Sequence, residues 1–189
     1  MSDMLVQLYS IPELWPRQAA LAGRGVEIRQ ALPAEKRIVA DWASRCFSGS
    51  TAGWCEVAIE QRPVTCFIAV EKQAQADPAT SPYDLPPEIL LGVGCYDTVA
   101  KGMFGPAGVR PDRRGQGIGS ALLLACLHAM KAERYAYAIV GWAGVPEFYA
   151  RTVGAVPIAG SEPGVYRGPL LVDAPGREGS APAHRRNGP

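Results

Sequence analysis

The chain has 189 residues, of which 48% are hydrophobic and 20% charged, and its 19 Lys and Arg nearly balance 18 Asp and Glu. This composition predicts one folded domain with its own core, and it excludes a chain that is disordered throughout. A net charge of +1 and a longest apolar run of only 121–127 argue against nucleic-acid, membrane-surface and transmembrane proteins. Residues 1–9 contain no Lys or Arg of a secretion signal, so we expect a cytoplasmic protein.

The ends of the chain differ in composition from its middle. We predict an N-terminal arm at 1–24, holding either a short helix or irregular structure, a single domain at 25–172, and a flexible C-terminal tail at 173–189, which is rich in Pro, Gly and charge. The cysteines lack the short spacings of zinc or redox motifs, and most have apolar neighbours, so we expect buried, reduced thiols and no metal site.

The first half of the domain alternates strands and helices. The predicted order is a strand at 25–29, helices at 33–47 and 53–61, and strands at 64–70 and 89–99. The two later strands are joined by a Pro-rich loop, 72–88, with no helix between them. That connection predicts an antiparallel pair.

The second half contains the only clear strand–helix–strand crossover. It reads as a strand at 104–109, a glycine-rich turn at 113–119, a helix to about 133, a strand at 135–141, a short helix at 146–153 and strands at 155–158 and 165–172. Gly105 and Pro106 predict a bulge or kink in the first of these strands. The fold class is therefore α/β (α+β), with a mixed sheet.

The segment from Val109 to Ser120 (VRPDRRGQGIGS) has the composition of an anion-binding turn. Its three alternate glycines allow a bulky group to approach the backbone, and the start of the following helix supplies unpaired N–H donors. Three arginines against one aspartate make the turn positively charged. A diphosphate is the kind of ligand that this combination favours.

Several interpretations of this segment are open. A glycine turn that merely begins a helix is the simplest. A Walker loop is excluded because no Gly-Lys-Ser/Thr follows at the required spacing. A dinucleotide-binding turn is disfavoured, because the glycine spacing differs and because Gly141 and Trp142 stand where an acidic residue is needed.

The pattern Arg114-x-x-Gly117-x-Gly119 resembles the acetyl-CoA loop of the GCN5-related N-acetyltransferase (GNAT) superfamily, whose signature is Q/R-x-x-G-x-G/A. The order of elements over about 26–166 also follows that family, and bacterial members of unassigned substrate are similar around 95–97, 101–106 and 135–139. The resemblance implies a mixed, mostly antiparallel sheet with splayed central strands, here 104–109 and 135–141, and flanking helices.

The resemblance also implies acetyl-CoA as cosubstrate and assigns residues to it. The pantetheine arm would pair with the backbone of Ala107 and Val109. The diphosphate would be held by the loop and the first turn of the helix, which comprise Arg114, Gly115, Gln116, Gly117, Ile118, Gly119 and Ser120.

Acyl transfer needs a proton donor for the leaving thiolate and a route for the proton of the amine. Tyr149 matches the tyrosine that acts as general acid in the family. Asp97 and Glu147 are candidate bases, as is Glu56. Candidate residues of an acceptor pocket are aromatic: Trp54, Tyr96, Phe104 and Tyr166.

We therefore predict an N-acetyltransferase that moves an acetyl group directly to an amine through a ternary complex. The alternative is a non-catalytic acyl-CoA-binding or regulatory module of the same fold. The expected partner is a small-molecule or peptide amine, with no metal, nucleic acid or membrane, and a homodimer is left open.

Overall fold

The computed structural model describes residues 1–73 and 87–165, and its centre is a seven-stranded sheet. The strands are β1 Met4–Gln7, β2 Val26–Gln30, β3 Cys66–Lys72, β4 Glu88–Tyr96, β5 Met103–Val109, β6 Tyr137–Val140 and β7 Val156–Pro157. Their order across the sheet is β2-β3-β4-β5-β6-β1-β7, and every neighbouring pair is antiparallel except β5–β6. The predicted mixed, mostly antiparallel sheet is confirmed.

Five α-helices flank the sheet: α1 Trp15–Ala22, α2 Lys36–Cys46, α3 Gly49–Glu60, α4 Ile118–Ala132 and α5 Pro146–Val153. Helix α3 begins four residues earlier than predicted, because the Ser48 side chain accepts a hydrogen bond from the Thr51 amide and caps it. Helix α4 is apolar around most of its circumference and is buried against the sheet. No helix in 1–73 or 87–165 is long and apolar enough to cross a membrane.

The first 24 residues are part of the domain rather than a peripheral arm. Strand β1 lies between β6 and β7, and its alternate residues Met4 and Val6 are almost completely buried. Helix α1 packs through Leu21 onto β2 and α4. The period-2 apolar pattern of Met4, Val6 and Leu8 is the sequence signal for this strand. This apolar pattern covers few residues because β1 is only four residues long.

All five cysteines are free thiols, and four of them are buried. The predicted strand at 165–172, the tail at 173–189 and most of the loop at 72–88 lie outside the described residues.

The two central strands separate soon after they meet. Strands β5 and β6 pair only through Met103 with Ile139 and Phe104 with Val140, whereas β5 stays paired with β4 as far as Val109. Gly105, at a φ of +127°, lies just beyond the last pair, in a conformation that strongly favours glycine. The rest of β5 therefore presents an edge to the gap that opens beside it.

Candidate active site

A cavity of about 860 Å³ occupies the gap beside β5. Its walls come from α1, β4, β5, the residue after α2, the loop before α4, the first turns of α4, and α5 with the residue before it. The lining residues are Arg17, Phe47, Val93, Phe104, Ala107, Gly108, Val109, Arg113, Arg114, Gly115, Gly117, Ile118, Gly119, Ser120, Leu122, Leu123, Val145, Phe148, Tyr149, Arg151 and Thr152. The cavity thus brings together most of the predicted cosubstrate residues, Phe104 and Tyr149.

The glycine loop opens the N-terminus of α4 to this cavity. Gly115 and Gly117 have φ values of +75° and +84°, in the left-handed region where a β-carbon is disfavoured. Gly117 is the N-cap of α4, and in the described part of the chain no side chain caps it. The Ser120 hydroxyl donates to the Gly117 carbonyl at 3.1 Å, so it does not satisfy an amide either. The first amides of α4 are therefore left for an external acceptor.

Two of the loop arginines are neutralised by ion pairs. Arg110 makes a two-pronged contact with Asp112, at 2.7 and 2.9 Å. Arg113 pairs through Nη2 with Glu71 on β3. The buried Nε of Arg113 has no hydrogen-bond partner among the described residues, which leaves one donor beside the cavity.

The positive charge of the cavity comes instead from Arg17, Arg114 and Arg151, from three different elements. Each lines the cavity, and none has an ion-pair partner in residues 1–73 and 87–165. Arg114 Nε donates to the Val109 carbonyl at 3.1 Å. A ligand donor that took the place of Arg114 on this carbonyl would release the guanidinium towards a bound anion.

Tyr149 projects from α5 into the cavity. Its ring makes edge-to-face contacts with Phe104, at a centroid distance of 6.4 Å, and with Phe148, at 5.0 Å. Burial raises the pKa of Tyr149 above its ordinary value, so the phenol is protonated at neutral pH. Its hydroxyl has no hydrogen-bond partner in the described part of the protein, so it can donate to a ligand atom.

Asp97 does not line the cavity, and its side chain forms hydrogen bonds within the fold. It sits in the β4–β5 turn with a φ of +59°, and its side chain is buried. Its Oδ1 accepts from the Gly102 amide at 2.7 Å, and its Oδ2 accepts from the Tyr135 hydroxyl at 2.7 Å and from Lys101 Nζ at 3.1 Å. Three donors occupy this carboxylate outside the cavity, so the structure argues against its predicted role as base.

The other predicted bases are also outside the cavity. Glu147, in the first turn of α5, and Glu56, on α3, are both exposed to solvent. Among the described residues the cavity is lined by no carboxylate and no histidine. Nor does that part of the chain hold a group of three or more His, Cys, Asp or Glu side chains that could bind a metal ion.

Of the predicted acceptor residues, the structure brings only Phe104 to the cavity. Trp54 lies on α3 away from it, and Tyr96 is fully buried in the core, where its hydroxyl donates to Glu133. Tyr166 lies outside the described residues. Gln116, predicted to bind the diphosphate, contributes no lining surface, and its carbonyl accepts a hydrogen bond from Arg24.

Phe47 is a cavity residue that the sequence analysis missed. It follows α2, and its ring lies on the backbone of Gly108, so close that a β-carbon at Gly108 would be 2.4 Å from the Phe47 Cζ atom. The ring also contacts Trp42 edge to face. A glycine inside a strand is the signal that could have pointed to such a close approach.

Comparisons with known proteins, in sequence and in structure, support the resemblance to GNAT acetyltransferases. The sequence profile of the acetyltransferase (GNAT) family matches residues 39–154, which include β5, the glycine loop and α5. A comparison with curated proteins gives no match.

Solved structures of similar fold include two with a TM-score above 0.5. A GCN5-related glucosamine N-acetyltransferase region of a fungal multi-domain GH3 β-N-acetylglucosaminidase superposes with a TM-score of 0.62 at 14% identity, over 83% of this chain and 19% of that one. A Drosophila protein superposes with a TM-score of 0.53 at 12% identity, over 83% of this chain and 47% of that one. This chain therefore matches less than half the length of either structure, and at these identities the likeness concerns the fold alone.

Proposed function

Because the chain belongs to the GNAT acetyltransferase family, we propose that it transfers an acetyl group from acetyl-CoA directly to an amine, with both substrates bound together. The observation that carries this proposal is the opening of the uncapped α4 amides into the same cavity as the Tyr149 hydroxyl. The diphosphate of acetyl-CoA would lie at the amides, beside the end of β5 at Val109. Its thioester would lie near the phenol, beside the other end of β5.

The cavity is electrostatically suited to the nucleotide end of the cosubstrate. Amides in the first turn of α4 donate to the diphosphate oxygens, and each hydrogen bond to a charged group contributes about 1.5–3 kcal/mol. Arg17, Arg114 and Arg151 add positive charge around the same ligand. The free edge of β5 can pair with the pantetheine arm as an added strand would.

Transfer requires a bond between the amine nitrogen and the carbonyl carbon, and loss of the thiolate from that carbon. Backbone amides of β5 at the cavity stabilise the developing oxyanion. Tyr149 donates its phenol proton to the departing sulfur. The amine proton passes to water in the cavity and returns to Tyr149 from solvent, so the enzyme is unchanged after each turnover.

The acceptor is a small-molecule or peptide amine that approaches from the apolar side of the cavity. Phe47, Phe104 and Val145 contribute apolar lining to the cavity. Glucosamine belongs among the amines to be tested, because the fungal structure of similar fold is described as a glucosamine N-acetyltransferase region.

One observation favours a second candidate, a non-catalytic acyl-CoA-binding module. No carboxylate or histidine lines the described cavity, so an amine that is protonated in water meets no side chain there that would accept its proton. In this case acetyl-CoA would bind and the acetyl group would stay on it.

Release of free CoA thiol from acetyl-CoA separates the two candidates. The protein is incubated with acetyl-CoA and a panel of amino sugars, alkylamines, arylamines and peptides, and acetyl-CoA binding is measured in parallel by calorimetry. We expect binding, together with amine-dependent release of CoA. Binding without release for any amine would favour the module, and absence of binding would contradict both candidates.

A further inference from the structure

Arg24 holds the glycine loop from outside the cavity. It lies between α1 and β2, and its Nη2 donates to the Gln116 carbonyl at 2.7 Å, across 92 residues of sequence. Its Nε donates to the Ala20 carbonyl at 3.3 Å, which anchors the guanidinium to the end of α1. Arg24 itself does not line the cavity.

The contact fixes the orientation of one peptide group. The peptide between Gln116 and Gly117 is trans, so its carbonyl and its N–H point in opposite directions. Arg24, which does not line the cavity, binds the carbonyl, while Gly117 lines the cavity. The Gly117 N–H is thereby directed to the cavity side, next to the uncapped amides of α4.

Without such a contact this peptide would be free to rotate. Gly115 and Gly117 flank Gln116, and glycine adopts positive and negative φ values with similar ease. Rotation of the peptide would turn the Gln116 carbonyl inward, and a carbonyl oxygen at that point repels an anion. Gly115 and Gly117, which leave the helix end open, therefore also leave the orientation of this peptide unfixed unless another group holds it.

We propose that Arg24 is a positioning residue for the anion site, which keeps the loop amides directed at a diphosphate before the ligand binds. This inference rests on the proposed binding of acetyl-CoA. Arg24 acts through its two fixed donors rather than through its charge, since a planar guanidinium can donate to both carbonyls at once and an ammonium holds them less rigidly.

The test is the affinity for CoA and for pantetheine, which lacks the diphosphate. CoA affinity is measured by calorimetry and pantetheine affinity by ligand-observed NMR, for the parent, Arg24→Ala and Arg24→Lys. We expect Arg24→Ala to weaken CoA binding by about tenfold and to leave pantetheine binding unchanged. Arg24→Lys should fall between the parent and the alanine variant.

Arg45→Ala is the matched control. Arg45 Nε donates to the Asp41 carbonyl four residues earlier, at 3.2 Å, just as Arg24 does to Ala20, but Arg45 does not contact the loop. It should bind CoA like the parent. Thermal melting of each variant shows whether it is folded at the temperature of the binding experiment.

Three results would overturn the inference while leaving the proposed function intact. Parental CoA affinity in Arg24→Ala would show that the contact is dispensable. Parental affinity in Arg24→Lys, with loss in Arg24→Ala, would show that charge alone matters. Equal loss of CoA and pantetheine binding would indicate general damage to the cavity. A parent protein that binds no CoA would instead contradict the proposed function and the inference together.

Discussion

The two turns at either end of β5 contain the same kinds of groups and use them in opposite ways. Each has a glycine in the left-handed region, Gly102 at a φ of +79° in the β4–β5 turn and Gly117 at +84° in the loop before α4. Each is linked to a tyrosine whose pKa is raised: Tyr135 binds Asp97 of the β4–β5 turn, and Tyr149 lines the same cavity as the glycine loop. Each also has charged side chains.

In the β4–β5 turn the polar groups satisfy one another. Asp97 accepts from the Gly102 amide, the Tyr135 hydroxyl and Lys101 Nζ, and nothing in this arrangement needs a ligand. In the cavity that the loop before α4 lines, the corresponding groups stay open, because α4 has a glycine as its N-cap and the phenol of Tyr149 on α5 has no hydrogen-bond partner in the described residues. Satisfaction of polar groups, and not residue type, separates the structural turn from the binding loop.

The largest effect is expected from removing one hydroxyl from each region. Tyr149→Phe should lower kcat by about 100-fold or more and leave the KM for acetyl-CoA within about twofold, because the hydroxyl would act only on the leaving sulfur. Tyr135→Phe, the matched control, should keep kcat and lower the melting temperature, because Asp97 loses a donor. Steady-state kinetics and thermal melting measure both.

A pH profile sharpens the same comparison. Since burial raises the pKa of Tyr149 above its ordinary value of about 10, the parent should lose kcat only at higher pH, as the phenol ionises. Tyr149→Phe should lack this alkaline decline. Parental kcat in Tyr149→Phe would remove the residue from the proposed role of acid.

Most of the fold could be predicted from the sequence because its signals are local. Helix α4 has a long apolar pattern, and α5 ends at Gly154, where the φ of +67° matches the glycine that the sequence offers. Strand β1 was missed because four residues are too few to establish alternation, and its burial depends on pairing with β6, at least 130 residues later.

The residues of the candidate site also differ in whether a local sequence pattern could identify them. The loop residues follow one another in the chain, so a motif can identify them. Asp97 and Tyr96 were assigned from residue type at the end of β4, but Tyr135, which binds Asp97, and Glu133, which binds Tyr96, come from distant positions that no local pattern reveals. Phe47 and Arg24 were missed for the same reason, since each reaches the site across the fold.

A smaller effect is expected from adding a side chain to the glycine of each region. In Gly117→Val the added side chain would stand in open space, with no atom within 4 Å of its β-carbon, where the diphosphate is proposed to bind. The left-handed backbone also disfavours a β-carbon by roughly 1–2 kcal/mol, so CoA affinity should fall about tenfold. Gly102→Val, with similar backbone strain, should lose stability and keep its CoA affinity. Calorimetric titration with CoA compares them, and unchanged affinity in Gly117→Val would place the diphosphate elsewhere.

The smallest expected effect is on the free energy of unfolding at alkaline pH. It concerns only the β4–β5 turn, whose polar groups satisfy one another. The hydrogen bond to Asp97 raises the pKa of Tyr135 to about 12 in the folded protein, whereas an unfolded tyrosine has a pKa of about 10. The contact therefore stabilises the fold fully below pH 10 and is lost as the pH rises from 10 to 12. Because the pair is partly solvated, we expect a difference of about 0.2–1 kcal/mol. Urea unfolding at pH 9 and pH 11 should show a steeper decline for the parent than for Tyr135→Phe, and parallel declines would mean that the Tyr135–Asp97 contact does not stabilise the turn.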